Sequence, residues 1–181
     1  SCMGYMVDVN GKKGPNRVGK DIQLSSGVAF STCDNPIGDM CWSTDFAPTA
    51  INTCDDTTYD QNGSANAYCA NNYWAGAIKS CRDKGMSLPT RAQLAQLAQA
   101  LYVNSDGTEA TITEGYTSGL KVRDQYKDNP QISLGFYYWS SEEYNANYAY
   151  FRYFATTYTY GSDGYWDRKD YNNNHAVCIS N

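Results

Sequence analysis

The apolar positions of this 181-residue chain change their spacing twice. From Ser1 to about Ala70, Gly, Asn, Asp, Pro and Thr interrupt every apolar run, which predicts strands and loops. Within that stretch Met3 to Val9 alternates weakly as a strand and runs into Asn10-Gly11, a hairpin-turn dipeptide that Gly14-Pro15-Asn16 extends. The spacing then becomes helical. Trp74, Ala77, Ile78 and Cys81 recur at i, i+3, i+4 and i+7, one apolar stripe on a short helix that Gly85 stops. Thr90 stands three residues before Gln93 and ahead of Leu94, Leu97, Ala98 and Leu101, a capping box opening a second amphipathic helix. Val103 to Gln131 reads as a long polar connection, broken by Gly107, Gly115, Gly119 and Asn129-Pro130. Phe136 to Trp139, Tyr148 to Phe154 and Ala176 to Ile179 then read as strands, with Gly161, Gly164 and the Asn172 to Asn174 run as turns. The expected class is α+β, with a strand and loop region over 1–70 and a helix-then-sheet domain over 71–181.

Composition narrows the function. Charged residues make up 18% and the net charge is -5, with no Lys/Arg cluster to neutralise phosphates, so nucleic acid is excluded as a partner. No apolar run approaches the roughly 18 to 20 residues that span a bilayer, and Ser1 does not open a signal peptide, so the chain as given reads as soluble. The anomaly is 17 Tyr against 5 Phe, and ten of the tyrosines fall between Tyr137 and Tyr171.

Seven cysteines with no C-x-x-C pair and a single His argue against zinc. Dispersed among Tyr, Asn, Ser and Thr, they read as disulfides of an exported, extracellular or cell-surface protein. The preferred pairing is Cys33 with Cys41, Cys54 with Cys69 and Cys81 with Cys178, leaving Cys2 over, although spacing alone leaves connectivity open.

Cys81 to Ile179 resembles a bacterial branch of the C-type-lectin-like fold. The matching features are Trp74 on the first helix, Leu88-Pro89-Thr90, Tyr138-Trp139-Ser140-Ser141-Glu142, Ala149-Tyr150 with Phe154, and Ala176-Val177-Cys178-Ile179. The resemblance implies a compact scaffold, a disulfide from helix to last strand, and a ligand face on the strands and loops after Trp139. Within that fold the segment Tyr144 to Asn174 resembles the variable region of a diversity-generating retroelement target protein. In such systems template adenines are randomised, so Asn codons become Tyr, Asp, Ser, Thr, Ala, Phe, Gly or His, never Trp, Lys, Glu, Gln or Met. Tyr144, Asn145, Asn147, Phe151, Tyr153, Thr156, Thr157, Tyr158, Tyr160, Ser162, Asp163, Tyr165, Asp167, Asp170, Tyr171 and Asn172 are all reachable, whereas Trp166 and Lys169 are not and would be fixed scaffold. Val7 to Asn16, continuing through Gly19-Lys20-Asp21, resembles a motif in the globular part of type IV pilin-like proteins. That likeness implies pilus subunits as partners, and membrane attachment only through an N-terminal helix missing from this chain.

Alternation along Tyr148 to Phe154 puts Tyr150, Arg152 and Phe154 on one face and Phe151 and Tyr153 on the other. The resemblance assigns the first set to the interior, so Phe151 and Tyr153 are expected on an exposed aromatic platform. Tyr suits recognition because it offers large contact area with few rotors and a hydroxyl for hydrogen bonds. His175 has no Ser or Cys partner in any motif and reads as structural. No cofactor is expected. Calcium is the one candidate, and Asp8, Asn10 and Gly11 lack the downstream bidentate Glu, so they read as a turn. Asn129-Pro130-Gln131 and Trp166-Asp167-Arg168 depart from the Glu-Pro-Asn and Trp-Asn-Asp motifs of calcium-dependent lectins. Glu142 and Glu143, adjacent on a strand, point to opposite faces, and Glu142 reads as scaffold.

The expectation is therefore a surface-displayed ligand-binding protein, an adhesin or pilin-like tip component, recognising a protein or cell-surface ligand through the Tyr-rich segment. The alternative is a structural pilin-like subunit whose Tyr-rich face packs against filament neighbours. An enzyme related to formylglycine-generating proteins needs a reactive cysteine pair, and Cys81 and Cys178 are assigned to a bridge, so no catalysis is expected.

Overall fold

The computed structural model describes residues 32–45, 48, 72–128, 132–156, 158–161 and 165–180, with the backbone alone for 158–161. The Met3 to Val9 strand, the Asn10-Gly11 turn, the pilin-like segment, Cys2 and the Cys54 to Cys69 pair lie outside these residues. Contacts divide the chain into Ser1–Thr32 and Cys33–Asn181. The expected boundary between 70 and 71 falls outside the described residues. The second unit is an α+β arrangement of two helices, small antiparallel sheets and disulfides.

It opens with a hairpin of β1 (Pro36–Ile37) and β2 (Met40–Cys41), closed by the Cys33–Cys41 disulfide. Gly38 turns it at φ +62°, and a Cβ there would lie 3.2 Å from Ala100 Cβ, so any other residue at the tip is strained in its backbone and crowds the second helix. Helix α1 (Tyr73–Asp83) starts where the Asn72 side chain accepts from Ala75 N at 2.8 Å, and it buries the predicted stripe of Trp74, Ala77 and Cys81. After β3 (Met86–Ser87), α2 (Arg91–Leu101) begins at the predicted capping box: Gln93 N donates to Thr90 Oγ1 at 3.1 Å and Thr90 N to Gln93 Oε1 at 2.9 Å. A third partner comes from afar. Arg91 N donates to Glu142 Oε2 at 2.8 Å, placing a carboxylate on the positive end of the helix dipole.

The stretch 103–131, expected as a polar connection, is partly sheet. β4 (Tyr102–Asn104) pairs with β5 (Thr117–Val122), β5 with β8 (Tyr158–Gly161), and a 3-10 turn covers Asp124–Tyr126. Only Leu120 and Val122 of β5 are buried. Gly119, at φ +71°, shifts the register ahead of them, so the period-two pattern is too short to stand out.

The main sheet is antiparallel, in the order β9 (Trp166–Arg168), β7 (Tyr148–Phe154), β6 (Phe136–Glu143). Phe136 opposes Phe154 and Trp139 opposes Phe151, after which a bulge shifts the register so that Glu143 opposes Ala149. The expected strand over Ala176 to Ile179 contributes β10 (Ile179–Ser180), which pairs with β3, and single bridges from Ile179 to Trp42 and from His175 to Tyr138.

Two cores flank this sheet. The first joins the α2 leucines to Ile37, Trp42, Tyr102, Leu120, Tyr138 and Phe154. The second packs Trp74, Ala77, Leu88, Trp139, Ala149, Phe151 and Ala176 around the Cys81–Cys178 disulfide. Phe151 was expected on an exposed platform and is instead buried, 6% exposed. The physical reason is that α1 lays a second layer on that face of β7, with Trp74 Nε1 donating to Ser140 O at 2.8 Å. Period-two alternation separates two faces and does not say whether both acquire a covering layer.

Candidate functional site

Part of the tyrosine excess belongs to the frame. Tyr102 OH donates to Ala155 O and Tyr138 OH to Ser133 O, each at 2.6 Å, and burial pushes both phenols well above their ordinary range. Among the described residues, the exposed aromatics other than Tyr116 gather in two places, toward opposite ends of the main sheet.

The first is a shallow cleft of about 250 Å³ lined by Gly135, Phe136, Tyr137, Tyr153, Tyr171 and Asn173. Tyr137 and Tyr153 are cross-strand partners, so their side chains share a face. Their rings meet edge to face at 4.8 Å, and Tyr137 also stacks at 4.7 Å on the buried Phe151. Phe136 lies 4.2 Å from the His175 ring. Asn173 Nδ2 donates to Tyr171 OH at 3.0 Å. Thr156 is exposed close by, its methyl 3.4 Å from where a Cβ on Gly135 would sit.

The second surface gathers around Tyr150. Tyr144 and Trp166 stack with rings 3.9 Å apart and 5° from parallel, and Tyr150 meets both edgewise. Arg91 places its guanidinium 4.0 Å over the Tyr150 ring. Tyr165 is 61% exposed.

Other predicted site residues serve the frame or stand apart. Asn145 Oδ1 accepts from Asn147 N and Tyr148 N, closing the turn between β6 and β7, and Asn147 O accepts from Lys169 N. Asp167 is half-buried and its Oδ2 accepts from Asn174 Nδ2; burial pushes this carboxyl up and the amide bond partly offsets it. Asp170 is bound by both forks of Arg168, which holds its carboxyl down. Asn172 is exposed. Thr157, Ser162 and Asp163 lie outside the described residues, and Tyr158 and Tyr160 lie on β8, where only the backbone is described.

Lys169, expected as fixed scaffold, is fully buried and ion-paired with Glu143, its Nζ 4.4 Å from the Trp74 ring. Its carbonyl accepts from Tyr73 N at 2.7 Å at the start of α1. Glu142 and Glu143 thus have separate partners. His175 Nδ1 lies 3.6 Å from Asp45 Oδ2 beneath Phe136.

Sequence reasoning missed Phe136, Tyr137 and Asn173 in the first surface, and Tyr150, Trp166 and Arg91 in the second. Tyr137 carried no usable signal: it alternates with the buried Tyr138 and shares its face with the buried Trp139, so period two alone does not mark it as exposed. A separate cleft of about 420 Å³ is lined by Glu109, Lys121, Arg123 and Asp124 among others, and Arg123 is bound there by both Glu109 oxygens. Among the described residues no three His, Cys, Asp or Glu side chains stand where they would hold a metal. The turn at Asp8 and the Asn129-Pro130-Gln131 stretch lie outside those residues. No described helix is long and apolar enough to cross a membrane. Comparison with family models, with curated proteins and with solved structures finds no match to this chain in any of the three.

Proposed function

We propose that this chain is an exported, surface-displayed ligand-binding protein, an adhesin or pilin-like tip component. Its C-type-lectin-like domain carries a recognition surface diversified between Tyr144 and Asn172. The observation that carries the reading is the set of exposed large apolar side chains. Among the described residues all are aromatic, and all except Tyr116 fall between Phe136 and Tyr171. Exposed aromatics gathered on a frame of two buried cores supply contact area at little ordering cost. Two disulfides favour export. Recognition would be noncovalent, rings losing water while Asn and Thr side chains supply hydrogen bonds.

The filament-subunit reading draws support from Trp166. It belongs to the second surface, is 40% exposed, and cannot arise by adenine randomisation of an Asn codon, as suits a contact with an unvarying partner.

Panning a phage-displayed cyclic peptide library on the immobilised protein tests the binding reading. Recovered peptides are expected to lose at least about tenfold in affinity for a Tyr137→Ser/Tyr153→Ser/Tyr171→Ser variant. The variant's Tm should stay within about 5 °C of the parent. Peptides indifferent to the triple substitution, or a variant that unfolds, would show these tyrosines to be frame.

A further inference from the structure

We infer that the cleft between Phe136, Tyr137, Tyr153 and Tyr171 receives one uncharged, ring-bearing side chain of a protein partner, with Tyr137 as an anchor that does not vary. The inference rests on the binding reading above and adds the occupant and a division of labour.

Size comes first. About 250 Å³ is smaller than the roughly 300 to 1,000 Å³ of pockets that enclose a whole small-molecule ligand, and it matches a single inserted side chain. Charge comes next. Among the described residues no acid or base lines the cleft, so a charged occupant would lose hydration and meet no counter-charge from them, although the chain as a whole carries -5. A neutral group faces no such cost. Geometry selects among neutral groups: Tyr137 and Tyr153 stand at 90° to one another, a corner of one face and one edge that suits a third ring. A sugar fits less well. Its several hydroxyls need partners, and among the described residues the lining offers one side-chain amide, Asn173, which already donates one N–H to Tyr171, and the phenol hydroxyls at the ring tips.

Tyr137 is also held before any ligand arrives. Phe151 supports its ring from below and Tyr153 abuts it, so little rotamer freedom remains to be lost on binding. Phe136 and Tyr137 precede the segment that resembles a variable region, whereas Tyr153 and Tyr171 fall inside it. The cleft therefore has a constant half supplying affinity and a changeable half supplying specificity. Tyr137 is a ligand-contacting residue that no motif marks.

The probe is p-cresol, the tyrosine side chain as a free molecule, titrated into the disulfide-bonded protein and read by aromatic NMR shifts. Saturable shifts centred on Tyr137, Tyr153 and Tyr171 are expected, with a dissociation constant on the order of 1 to 10 mM. Tyr137→Leu should weaken the probe at least about fivefold while the Trp74 and Trp139 indole signals stay in place. If those signals move, Tyr153→Leu carries the same expectation. Equal shifts from methyl β-glucopyranoside, shifts centred on Tyr144 and Trp166, the absence of saturable shifts, or undiminished binding by the folded variants would each overturn the inference. Failure here together with sequence variation at the displayed positions would reject this occupant and leave the binding reading standing.

Discussion

Replacing Cys81 and Cys178 together with Ala is expected to cost about 4 to 5 kcal/mol of unfolding free energy in the chain-entropy model. The bridge spans 97 residues, and both half-cystines are fully buried in the second core, where they join α1 to the chain just before β10. Removing Cys33 and Cys41, only 8 residues apart, should cost less, about 2.5 kcal/mol by the same relation. Urea unfolding of the two double variants under non-reducing conditions checks the order. Equal losses would show that loop closure in the unfolded chain is not what these bridges contribute.

Lys169→Met is expected to destabilise by about 3 to 5 kcal/mol, because it leaves Glu143 in the core without its buried cation. The Glu143 side chain is only 5% exposed and that of Lys169 not at all, so water does little to replace the lost partner. The double variant Lys169→Met/Glu143→Leu removes both charges and should recover most of the loss. Thermal melts of the parent and both variants read both effects. A single variant that melts with the parent would place the pair outside the stability of the core. The functional consequence is positional. Through its backbone Lys169 holds Asn147 and the start of α1, between Trp166 on one surface and Tyr171 on the other.

The elements legible in the sequence were those written in short, local patterns. Thr90 and Gln93 satisfy each other across one turn, and Trp74 and Cys81 share one helix face, so both helices follow from neighbours in the chain. Tyr148 to Phe154 was legible as a strand for the same reason. What escaped depends on partners far along the chain. Phe151 is buried because Trp74, from a distant helix, covers its face, and Glu142 caps a helix that begins 51 residues earlier. Tyrosine deepens the ambiguity, since it suits a core when its hydroxyl finds a carbonyl, as at Tyr102, and suits a surface equally well, as at Tyr137. The Tyr-rich segment located the proposed surface only in part. Phe136 and Tyr137 lie before the segment, and register brings Tyr137 beside Tyr153.

If the surface is diversified as proposed, its exposed positions vary while the frame beneath them does not. Sequencing the same locus from many sibling cells decides this. Nonsynonymous changes should concentrate at Tyr153, Thr156, Tyr165, Tyr171 and Asn172, with Trp74, Phe136, Tyr137, Trp166, Lys169 and Cys178 unchanged. An unvarying locus, or changes spread evenly over buried and exposed positions, would rule out a diversified surface.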